Sequence, residues 1–100
     1  MKLFTTDFSE REKRILITIL KERIDLITED ENYFFKSTES HKNFEYKPLL
    51  SAYLKLEDFD SKIILEKEKI LMISCVNDNI NSNKKVGIVE ELIQIKNKIK

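Results

Sequence analysis

The chain has one glycine, one proline, one cysteine, one histidine and no tryptophan in 100 residues. So little glycine argues against sandwich and Rossmann-like folds, which need it for turns and for close backbone approach. A lone cysteine, Cys75, cannot form an intramolecular disulfide, and with only His41 beside it a zinc site within one chain lacks ligands. Charge of one sign is missing too: 18 basic residues meet 18 acidic ones. Nucleic-acid binding, which relies on clustered cations to neutralise phosphates, is disfavoured by that balance. The longest apolar run, Ile70 to Val76 with Ser74 inside it, falls far short of the roughly 20 residues that span a bilayer. The start, "MKLFTTDF", has no signal-peptide core. The expectation is a cytoplasmic protein without membrane contact.

What the chain does have is charge and aliphatic periodicity, with 36% of residues charged and 41% hydrophobic. That is enough for one helical domain over residues 1–100. Two stretches 56 residues apart keep the same register, "EREKRILITILKERID" from Glu10 and "EKEKILMISCVNDNIN" from Glu66. Glu12 matches Glu68, Lys13 matches Lys69, and Leu16, Ile17, Leu20 and Ile24 match Met72, Ile73, Val76 and Ile80. The match predicts two versions of one helical hairpin. Residues 1–60 carry a formal charge of −3 and residues 61–100 carry +3, a dipole able to align two copies or a copy and a partner.

Ser9 with Glu12 three residues later has the form of a capping box and predicts a first helix from there, ending near Thr28 or running on toward Phe34. Residues 36–47 show neither helical nor strand period and read as a connection. Pro48 suits the first turn of a second helix that stops near Asp58. Asp60 or Ser61 is the expected cap of a third, carrying Ile63 and Ile64 on its apolar face and expected to be the most buried element. Val86, Val89, Leu92, Ile93, Ile95 and Ile99 mark a fourth, whose closing Lys96, Lys98 and Lys100 complement its dipole. The expected fold is all-α, a small four-helix bundle built from two helical hairpins. The alternative is a small α+β domain in which the β-branched "RILITIL" and "ILMISCV" are strands; the charged and polar flanks of both favour helix.

Candidate chemistry is sparse. A Cys/His catalytic pair needs hydrogen-bond reach, and nothing places Cys75 near His41; the first reads as core and the second as an exposed loop residue. From Asn79 to Glu90 the spacing imitates an EF-hand, but an amide stands where Asp is wanted and Lys84 where glycine is wanted. Glu12 and Glu68 are paired carboxylates without the Glu-x-x-His motif of a di-iron bundle, and read as solvated helix ends or caps. No metal, cofactor or catalytic residue is expected.

One distribution stands out. Seven of nine aromatics, Tyr33, Phe34, Phe35, Phe44, Tyr46, Tyr53 and Phe59, fall around the first connection. Aromatic side chains bury much area at low entropic cost and commonly anchor interfaces. The sequence therefore points to a non-enzymatic protein-binding module, a small regulator, inhibitor, antitoxin-like or immunity-like adaptor. Its protein partner is expected on helix faces and on Tyr33, Phe34, Phe35, Phe44 and Tyr46. The width of the apolar arcs favours a homodimer. The alternative is a nucleic-acid-binding regulator whose dimer sets the basic carboxyl-terminal helices side by side.

Overall fold

The computed structural model describes residues 2–29, 45–82 and 86–99. Among them are four α-helices: α1 (Glu10–Glu29), α2 (Tyr46–Glu57), α3 (Glu66–Asn81) and α4 (Val89–Ile99). They pack as two hairpins, α1 on α2 and α3 on α4, with α2 and α1 also against α3. The protein is a small helical bundle. Both segments that could have been strands lie inside helices, α1 and α3.

The amino end of α1 is capped as its sequence requires. The Ser9 hydroxyl accepts from the Glu12 backbone N–H at 3.1 Å, and the Glu12 carboxylate accepts from the Ser9 N–H at 2.7 Å. The third helix departs from expectation: it begins at Glu66, and neither Asp60 nor Ser61 caps it. Instead Asp60 donates its N–H to the Asp58 carboxylate, and the Ser61 and Thr6 hydroxyls bond to each other. Ile63–Ile64 form a short strand, β2, antiparallel to β1 (Leu3–Phe4), with Leu3 opposite Ile64. Buried Thr5 extends the pairing, donating its N–H to the Lys62 carbonyl and accepting the Lys62 N–H on its hydroxyl. Two β-branched residues that fit a helical apolar face are drawn into extended backbone by a partner strand some sixty positions away.

The third helix is also not the most buried element: it buries four of its 16 residues, α1 five of 20 and α2 four of 12, and burial is spread this way because the two halves of the molecule repeat. Helices α1 and α3 correspond at the offset of 56, and α2 and α4 at an offset of 43, the first connection being longer. Burial follows these offsets pair by pair: Phe8 with Ile64, Leu16 with Met72, Leu20 with Val76, Leu49 with Leu92, and Leu56 with Ile99 are buried at both members. Sizes differ at two further matched pairs, Ile19 with Cys75 and Ala52 with Ile95, all four buried.

The cap is where the copies diverge. Leu65 occupies the place of Ser9 and, being extended at φ −81° and ψ 160°, has the backbone of an N-cap but no hydroxyl to offer. Only the return bond survives, from the Leu65 N–H to Glu68 at 2.7 Å. Leu65→Ser should therefore stabilise the fold by about 1 kcal/mol, read as a higher urea midpoint with unchanged slope. A lower midpoint would mean that Leu65 contributes more by packing than a cap would.

Candidate functional site

Of the aromatic anchors expected from sequence, Tyr33, Phe34, Phe35 and Phe44 lie outside the described residues, as does His41. Tyr46 is described: it opens α2, half-buried and packed on the core. Tyr53 also packs on the core, and hydrogen bonding to Glu57, then burial, pushes its hydroxyl pKa up. Phe59, by contrast, is 99% exposed.

Cys75 is core, 2% exposed, and burial pushes its thiol up to about 11, so the thiolate that nucleophilic chemistry needs is scarce at neutral pH. In the EF-hand-like window, Asn79 and Asn81 sit in the helical backbone of α3, and the Asn79 amide donates to the Cys75 carbonyl at 2.8 Å. Glu90 lies in the first turn of α4.

The paired glutamates are caps but not solvated. Glu12 is 6% exposed and Glu68 is 1% exposed, and each receives a lysine ammonium from the opposite hairpin. Lys98 reaches Glu12 at 2.6 Å and the Asp7 carbonyl at 3.3 Å; Lys55 reaches Glu68 at 2.7 Å and the Ile63 carbonyl at 3.0 Å. All three pairs of groups match under the two offsets: Lys98 with Lys55, Glu12 with Glu68, Asp7 with Ile63. The second Glu68 oxygen is buried without a hydrogen-bond partner among the described residues. Lys98, counted among the basic residues that a nucleic acid would use, is thus turned inward to a carboxylate.

Burial would raise the Glu12 carboxyl, but the hydrogen bond from Lys98, the Ser9 backbone N–H and the Lys98 charge together hold it below the ordinary carboxylate range. A depressed pKa contributes stability that is present above the unfolded value, roughly 4.3, and is lost as pH falls through the folded value. The expected result is that the stability difference between the wild type and Glu12→Gln, from urea melts, is largest near neutrality and narrows below that value. A constant difference from pH 6 to pH 3 would contradict it.

A hollow of about 490 Å³ lies between α1 and the turn before α4, with Ile15, Ile19 and Ile88 in its lining and Arg11, the partner of Glu91, at its edge.

A second surface differs between the two halves. Along α2, Lys47, Leu50, Ser51, Leu54 and Asp58 share one face and line a hollow of about 400 Å³. Lys47 and Ser51 also border a second hollow of about 380 Å³, lined by Leu65 and Lys67 at the start of α3. Leu54 and Leu65 are 54% and 52% exposed. Their counterparts in the other half are Asn97 and Ser9, both exposed and polar. Equivalent places on one scaffold thus carry polar residues in one copy and leucine in the other. In the sequence the aromatic signal lies away from this face, although the Ser9–Leu65 mismatch falls directly before the repeat.

No protein-family model matches the chain, and no curated protein or solved structure matches it. Among the described residues no helix is long and apolar enough to cross a membrane.

Proposed function

We propose that this is a non-enzymatic, cytoplasmic protein-binding module, a small regulator, inhibitor or adaptor that acts by presenting a helix face to a protein partner. The observation that carries the reading is the exchange of Asn97 and Ser9 for half-exposed Leu54 and Leu65 at matched places of the two halves. Each leucine leaves about half of its surface in water, and Leu65 stands where the other half of the molecule has a capping serine. Exposed Phe59, in the bend that follows α2, adds an aromatic beside the same helix. Tyr33, Phe34, Phe35 and Phe44 remain part of the proposal as anchors on the neighbouring connection.

The test places a photoreactive amino acid at position 54 and, in a separate protein, at position 97, within the cells that make the chain. A discrete heavier protein adduct from position 54 and none from 97 is expected. Equal labelling from both positions, or no adduct from 54, would remove the observation on which the reading stands.

A further inference from the structure

We propose that the hollow between α1 and the turn before α4 binds a small amphiphile carrying one carboxylate, with Arg14 holding the carboxylate and Ile15, Ile19 and Ile88 receiving the apolar body. This site shares no residue with the α2 face. Its volume, about 490 Å³, falls within the roughly 300–1,000 Å³ of small-molecule pockets. One stripe of α1 supplies most of the lining, because positions 11, 14, 15, 18 and 19 recur at intervals of three and four and run roughly 12 Å along the helix. The floor is apolar. Ile19 is buried, while Ile15 and Ile88 are half-buried and packed against the core, so a hydrocarbon body seated there removes from water a surface that folding leaves partly wet.

Charge selects the head group. Of the charged residues that line the hollow, Arg11 gives its Nε and one terminal nitrogen to Glu91, at 3.2 and 3.1 Å, and Glu10 lies 3.8 Å from the Lys13 ammonium. The third, Arg14, is exposed, and its side chain forms no hydrogen bond or ion pair among the described residues. Thr18 is no rival donor, since its hydroxyl gives its proton to the Arg14 carbonyl at 2.9 Å. A guanidinium presents its N–H groups as a fork that fits both oxygens of a carboxylate. With one cation left over, and Glu10 and the partner of Arg11 at the edge, a second negative charge on the ligand meets repulsion, which favours a carboxylate over a phosphate monoester. The other half carries neither component: Ile70 stands at the place of Arg14 and Glu45 at that of Ile88.

The experiment titrates decanoate into the full chain and follows the backbone amides by NMR. Saturable binding with the largest shifts at residues 14–19 and 88 is expected. Two variants at exposed positions separate the contacts: Arg14→Gln removes the charge, and Thr18→Phe fills the hollow without altering charge. Circular dichroism confirms that both keep the fold. Each should weaken decanoate by about tenfold or more. Decanoate bound equally well by Arg14→Gln overturns the carboxylate contact, as does decylammonium that matches decanoate in affinity. Decyl phosphate that binds more tightly than decanoate overturns the choice of a monoanion. Shifts centred elsewhere, unchanged binding by Thr18→Phe, or no saturation up to roughly 10 mM overturns the site itself. None of these outcomes touches the protein-binding reading, which the adducts from position 54 test separately.

Discussion

Lys55→Met should lower the free energy of unfolding by about 3 kcal/mol, because it leaves the Glu68 carboxylate buried without its cation. The Glu68 side chain is 2% exposed and that of Lys55 is 23% exposed, whereas across the molecule the corresponding values for Glu12 and Lys98 are 8% and 42%. Water reaches the second pair more readily, so Lys98→Met should cost only about 1 kcal/mol. The double change Lys55→Met/Glu68→Gln should recover most of the loss, since the glutamine oxygen still accepts the Leu65 N–H and no charge is stranded. Urea unfolding of the four proteins at pH 7 checks the set. Equal losses for Lys55→Met and Lys98→Met would show that burial does not govern these pairs.

Leu49→Ala and Leu92→Ala should each cost about 3 kcal/mol, through lost transfer energy plus the cavity left behind. The two leucines are matched positions on α2 and α4, 1% and 0% exposed. If the repeat extends to energetics, the two losses should agree within the usual scatter of such changes, and the midpoints by thermal and urea melts should fall together. A loss at Leu92 far below that at Leu49 would mean that the hollow beside α4 lets its surroundings collapse around the missing side chain.

Much of the architecture was legible in the sequence because it is local. Ser9 and Glu12 are three residues apart, and a cap needs nothing else; the helical periods of α1, α2 and α4 are likewise properties of neighbouring residues. Ile63 and Ile64 were misplaced because their pairing with Leu3 and Phe4 depends on a strand brought from the far end of the chain, and apolar periodicity counts β-branched residues equally well in either state. The lysines on Glu12 and Glu68 were invisible for a related reason. Their identity depends on which turn of α2 and α4 comes to rest beside the caps, a matter of inter-helix register that the internal repeat specifies only once α2 is aligned with α4. The α2 face needed the fold as well, since an exposed leucine carries meaning only against the polar residue at its matched place.

The crossed lysine–glutamate contacts give the molecule the layout of a tethered dimer, each half completing the other's buried charge. A true dimer of identical hairpins has to show every surface twice and would offer two equivalent grooves to its ligand. Joining the halves in one chain lifts that obligation: the interior stays under mutual constraint while the exteriors are free to differ. A contact made through residues that only one half carries, such as Leu54 and Leu65, is then available once per chain, without the avidity or crosslinking that a two-faced assembly would bring.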